Sequence, residues 1–223
     1  GPGKLQTFTV RVQVTLVLIN HSDGRHTRPL ANTTALYYRL GPRMNRFERP
    51  DAGQCWTMAP ILITSFRPWK EHQRINTSDS LLEQVATRLP ANALVLRSLP
   101  VNFDFAPMQV IAHIVQHRPK VVLCCGMAET RKILTVEQWG TDKDQQLATP
   151  VDLQILTQKT IHTRISHDAG NFVCNRLYYR VLRHLEHQSS VALFVHVPLI
   201  TPANRAVIEF DFLKIIEHLN GVG

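Results

Sequence analysis

No apolar run in this chain reaches the roughly eighteen residues that span a bilayer, which argues against a membrane helix. Cysteine is scarce: the four present are Cys55, Cys124, Cys125 and Cys174. They form no regular framework, so a disulfide-stapled secreted domain is not expected and a reducing, cytoplasmic setting is. None has metal-ligand spacing with a histidine or a second cysteine, so neither zinc nor any other cofactor is expected. Acidic residues are also few, 17 against 25 Lys and Arg, giving a net charge of +8. The excess could mark a nucleic-acid partner, but the basic residues are scattered, with Arg25, Arg28, Arg39, Arg43, Arg46 and Arg49 the only local enrichment. Aromatics make up 7%, and no aromatic-rich strand motif for RNA is present. A solvated basic surface is the simpler reading. No secretory signal is visible, and Gly1-Pro2-Gly3 has the look of a remnant of tag removal.

What the chain does have is alternation. After residue 59 it reads as strand 61–66, helix 78–89 capped by Ser78 or Ser80, strand 93–101, helix 106–117 and strand 120–126. A strand 134–139 and an extended segment 158–165 follow, then a helix to about residue 187, a strand ending at His196 and a last helix 204–219. This order predicts a single three-layer α/β/α domain around a mostly parallel twisted sheet. Ligands of such folds bind beyond the carboxyl ends of the strands, where Phe66, Gly126 and His196 fall. Residues 1–58 read differently, as an N-terminal extension. Residues 8–19 alternate apolar and polar side chains like a half-wet strand, and a polar, turn-rich stretch follows. The expected organisation is therefore an extension, 1–58, and a main domain, 59–223.

The stretch Asp168-Ala169-Gly170-Asn171-Phe172-Val173-Cys174-Asn175 is the best candidate for chemistry. Phe172, Val173, Leu177, Tyr178, Val181 and Leu182 recur at helical spacing, so a helix should begin near Asn171. A thiol in its first turn feels the positive end of the helix dipole, which favours thiolate. His196 closes the buried run Val191-Ala192-Leu193-Phe194-Val195 and offers a base. A lone Cys in an apolar helix is also common core filler, so this pairing alone decides nothing.

Four blocks, taken in order, resemble the pyroglutamyl peptidase I family of cysteine peptidases. Ile61-Leu62-Ile63-Thr64-Ser65-Phe66-Arg67-Pro68-Trp69 resembles its first strand and loop. Leu99-Pro100-Val101 followed by Phe103 resembles its second block. Gly126-Met127-Ala128-Glu129-Thr130-Arg131 with Thr135-Val136-Glu137 resembles its third. Asn171-Phe172-Val173-Cys174-Asn175, Tyr178 and His196-Val197-Pro198 resemble the last. The resemblance covers about two thirds of the chain and implies a catalytic set of Cys174 as nucleophile, His196 as base and Glu137 as the acid that orients it. Without it, Glu137 would read as an exposed carboxylate at a strand end. The resemblance also implies an acyl-enzyme route, with the Cys174 N–H as oxyanion donor and Lys143 as the nearest guess for a supporting cation.

The implied substrate pocket comprises Phe66, Trp69, Phe172, Met127 and Asn76. Here the chain departs from the family. Trp69 replaces a phenylalanine and Ser65 a glycine. Met127 stands in place of a glutamine that helps to bind the lactam. Lys70-Glu71 and Glu129-Thr130 replace glycines, and one residue is inserted before Ile75-Asn76. Losing glycines reshapes loops, and losing a polar group removes a hydrogen bond on which selectivity depends. The expected function is removal of pyroglutamate, or a related N-terminal group, from a peptide with a blocked or small N-terminal residue. No membrane partner is expected, and self-association is left open. The competing readings are a non-catalytic or specificity-shifted regulatory module on the same fold and, resting on charge alone, a nucleic-acid binder.

Overall fold

The computed structural model describes residues 61–221. The expectations placed on the extension 1–58, including its strand, its arginine cluster and Cys55, lie outside the described residues.

The first described element is β1 (Ile61–Phe66), buried along its whole length. That is what a continuous Ile-Leu-Ile run signals when both faces of a strand are covered. Helix α1 (Thr77–Val85) follows, then a short 3-10 turn at Ala86–Arg88. The residue capping α1 is Asn76 rather than Ser78 or Ser80. Its Oδ1 accepts the Ser78 N–H at 3.0 Å and the Ser78 hydroxyl at 2.7 Å, so Ser78 is already inside the first turn. The next elements are β2 (Ala93–Leu99), α2 (Phe105–His117) and β3 (Val121–Met127), all close to their expected spans.

Beyond β3 the order is less regular than the sequence suggests. The single strand expected over 134–139 is two: β4 (Thr135–Glu137) and β5 (Trp139–Asp142). Gln138 parts them by donating its N–H to Ser166 O at 2.8 Å and accepting the Thr149 N–H at 2.9 Å. β5 then pairs antiparallel with β6 (Gln145–Ala148) in a separate hairpin. The extended segment expected over 158–165 is largely absent. Helix α3 (Leu153–Thr157) precedes it, and only β7 (Arg164–Ser166) is strand. The reason is Asp211: its buried carboxylate accepts the N–H groups of Ile161, His162 and Thr163 at 2.7, 2.9 and 2.9 Å, and these amides are unavailable to a ladder. The chain closes with α4 (Val173–Leu185), β8 (Val191–Val197) and α5 (Arg205–Gly221).

The six-stranded sheet has the order β2-β1-β3-β8-β4-β7. It is parallel except where β4 runs against β8. Alternate strand residues feed two cores. Leu62, Val122, Cys124, Ala192 and Phe194 pack with α2 and α4 on one face. Ile61, Ile63, Leu123, Cys125, Leu193 and Val195 pack with α1 and α5 on the other. Each fully buried side chain of this size contributes about 2 kcal/mol. Among the described residues no helix is long and apolar enough to cross a membrane.

Candidate active site

β3 and β8 run side by side with Gly126 opposite His196. A Cβ on Gly126 would meet Phe194 Cζ at 2.8 Å and Cys174 Cβ at 3.4 Å. The missing side chain is what lets α4 bring Cys174 up to the strand ends. α4 starts at Val173, two residues later than expected, after Phe172 in an extended conformation. The turn before it reverses at Gly170, whose φ of +72° suits glycine. Asn175 pins that turn: its Nδ2 donates to Gly170 O and Thr141 Oγ1, and its Oδ1 accepts the Thr141 N–H at 2.8 Å.

Cys174, His196 and Glu137 stand in series. Cys174 Sγ lies 3.6 Å from His196 Nε2, and His196 Nδ1 lies 2.8 Å from Glu137 Oε1. A carboxylate only accepts, so Nδ1 carries the imidazole proton and Nε2 faces the thiol as an acceptor. Glu137 is fully buried, not an exposed strand-end carboxylate. Burial pushes its pKa up, but the His196 hydrogen bond and charge and the Arg131 charge outweigh this and hold it below the usual range. Burial lowers His196, against the pull of Glu137, and Arg131 adds to the lowering. The thiol differs from the dipole expectation. Burial, reinforced by the charge of Glu137, pushes it up to about 11, although the backbone amides of Asn175 and Cys174 and the charge of Arg131 pull the other way. Both directions favour a neutral thiol beside a neutral imidazole. Such a relay can move a proton from sulfur to nitrogen when an electrophile arrives.

Arg131 is the residue whose part here was not foreseen. Its Nη1 donates to Glu137 Oε1 and to Thr135 Oγ1, and its Nη2 donates to Asp168 O at 2.8 Å. The available signal was a cationic pair, Arg131-Lys132, shortly before a strand that carries a buried acid. Lys143, the earlier guess for a site cation, lies instead on the β5–β6 turn with φ of +57° and does not line the cavity.

Phe66, Trp69, Met127, Asn76, Phe172, Cys174 and His196 all line one cavity of about 500 Å³. Phe66 is a buried wall, whereas Trp69 and Phe172 are 51% and 59% exposed and form a rim, their ring centroids 6.0 Å apart. Met127 contributes apolar surface, its Sδ near the Thr77 N–H at 3.4 Å. Asn76 reaches the cavity with its amide already committed to capping α1 and, at 3.4 Å, to Arg67 O.

A family model described as pyroglutamyl peptidase matches residues 59–148 and 148–210. The pyrrolidone-carboxylate peptidase of Vibrio vulnificus (strain YJ016) is 31% identical over 170 residues, covering 64% of this chain and 80% of that protein. The protein of the same name from Klebsiella pneumoniae (strain 342) is 28% identical over 177 residues, covering 67% and 82%. Among solved structures, pyroglutamyl peptidase I from Bacillus amyloliquefaciens superposes with a TM-score of 0.60 at 19% identity, covering 74% of this chain and 94% of that one. Pyrrolidone carboxyl peptidase from Thermococcus litoralis gives 0.58 at 21% identity, covering 74% and 97%. These two likenesses establish the fold.

Proposed function

This chain belongs to the pyroglutamyl peptidase family of cysteine-type omega-peptidases, and on that premise we propose that it removes an N-terminal pyroglutamyl residue, or a close relative of it, from peptides through Cys174, His196 and Glu137. The observation that carries the proposal is the unbroken series from Sγ to Nε2 at 3.6 Å and from Nδ1 to Oε1 at 2.8 Å, at the floor of a cavity large enough for the acyl group. The same intact series argues against a non-catalytic module.

In the first half-reaction Cys174 Sγ attacks the amide carbonyl carbon while His196 Nε2 takes the thiol proton. Glu137 stabilises the imidazolium and keeps its orientation. The Cys174 N–H, at the start of α4, is the donor assigned here to the developing oxyanion. The C–N bond breaks, His196 returns the proton to the leaving amine, and a thioester remains. In the second, His196 takes a proton from water, whose oxygen attacks the thioester. The acid leaves and the thiol is reprotonated.

The activity is assigned to residues 59–223, in a reducing cytoplasm where the thiol stays free; Cys124, Cys125 and Cys174 are all unpaired with one another. The test is release of a fluorogenic amine from a pyroglutamyl conjugate and from unblocked aminoacyl conjugates. Turnover of the first, abolished in Cys174→Ser, is expected. No turnover of any conjugate, with Cys174 inert to alkylation, would overturn the reading.

A further inference from the structure

Two of the residues that set this chain apart meet across the rim of the cavity. Lys70, on the loop after β1, places Nζ 2.6 Å from Oε2 of Glu129, on the loop after β3. Gln73 Nε2 donates to the other carboxylate oxygen at 3.0 Å, and His72 Nε2 lies 3.1 Å from it. Through Oε1, Gln73 also accepts the backbone N–H groups of Trp69 and Lys70 at 3.2 and 3.3 Å. One carboxylate therefore gathers the loop that carries Trp69. Lys70 Nζ lies 5.3 Å from the Trp69 ring centroid, within cation–π range, and Trp69 in turn leans on Phe172. Held down to about 2 by Lys70 first and then by Gln73 and His72, the Glu129 carboxyl stays charged at any working pH.

The pair is 36% and 26% exposed, and partly exposed pairs add little to global stability. Its consequence is local. Glu129 is where Lys70, His72 and Gln73 together tie the Trp69 loop to the loop after β3, and with that tie weakened the exposed indole would have to be ordered anew each time a ligand bound.

We propose that the Lys70–Glu129 ion pair is a positioning clasp that holds Trp69 over the cavity, governing affinity for the acyl group and the access of bulky reagents to Cys174 rather than the rate of bond cleavage. The proposal rests on the peptidase reading of the cavity. Neither residue touches the relay; both act through the aromatic rim.

The experiment compares the full chain with Lys70→Met, Glu129→Ala and the double variant. On a pyroglutamyl conjugate each single change raises KM about three- to tenfold and leaves kcat within about twofold. The double variant is no worse than the poorer single one, because Glu129→Ala already removes the contact that Lys70→Met removes. A second readout needs no turnover. Alkylation of Cys174 by a bulky maleimide accelerates about fivefold in the variants, and alkylation by the smaller iodoacetamide changes less. Cys124 and Cys125 are fully buried and do not compete, and peptide mapping separates Cys174 from Cys55. A chain that hydrolyses no conjugate yet shows the faster maleimide reaction sinks the peptidase reading and keeps the clasp. Unchanged KM with unchanged alkylation, or a fall in kcat at constant KM, overturns the clasp.

Discussion

Arg131 and His196 share one oxygen of Glu137: the guanidinium Nη1 and the imidazole Nδ1 both point at Oε1, while Oε2 is buried without a hydrogen-bond partner among the described residues. The cation neutralises a carboxylate that would otherwise be costly to bury beside a neutral ring. It also suppresses protonation of His196, since two cations around one carboxylate repel.

Replacing Arg131 by Gln should therefore raise the pKa of both Glu137 and His196, because the cation lowers each of them. His196 must be neutral to accept the thiol proton, so the acid limb of the kcat/KM profile moves to higher pH. Activity at neutral pH should fall about tenfold, within the ordinary range for a general base. A pH profile that keeps its acid limb in place would remove Arg131 from this role.

Cys174 is a partly buried thiol whose pKa is pushed up to about 11, so its thiolate fraction in the free protein keeps growing with pH through the alkaline range. Alkylation by iodoacetamide, followed by mass spectrometry at Cys174, should climb steadily past pH 9. A plateau near neutrality would instead mean a preformed thiolate–imidazolium pair.

Glu137→Gln keeps the shape of the side chain but presents either a donor or a weaker acceptor to Nδ1, so the imidazole loses its preferred tautomer. A loss of about a thousandfold in kcat is expected, with KM little changed. Stability changes as well. The folded-state value of Glu137 is depressed, so its stabilisation is complete above its ordinary value of 4.5 and is lost as pH falls through the folded value. The variant, which leaves Arg131 facing a neutral group, should be less stable than the parent at pH 7 by about 3 kcal/mol. Thermal melts at pH 7 and pH 3 should show that gap narrowing in acid.

Gly126→Ala places a methyl group 2.8 Å from the ring of Phe194, which is fully buried and has nowhere to go. Phe194 packs on His196 with centroids 4.8 Å apart, so a shift in the first moves the second. Overpacking of this kind costs about 1–3 kcal/mol. A lowered melting temperature together with a fall in kcat is expected; a variant with parental stability would mean that the sheet relaxes around the methyl.

Much of this was written in the order of residues. Continuous apolar runs gave β1, β3 and β8 because strands covered on both faces have no polar side to show. The 3.6-residue spacing from Val173 to Leu185 gave α4, and the short motifs placed Cys174, His196 and Glu137 within one set. Other features are not local and left no such mark. The segment before β7 lost its ladder to Asp211, a residue on a helix fifty positions away. The acidity of Cys174 followed depth in the protein rather than its place on a helix, and burial overruled the dipole. Lys70 found Glu129 only once strand order brought their loops to one end of the sheet, whereas Arg131 meets Glu137 six positions along the same segment, where the chain enters β4. Sequence by itself determined which elements form and which side chains carry the chemistry, because periodicity and residue type are local properties. Tertiary structure decided which charges meet, how deeply the thiol is buried and how the cavity rim is held, because each depends on distances between residues that only the packed sheet brings together.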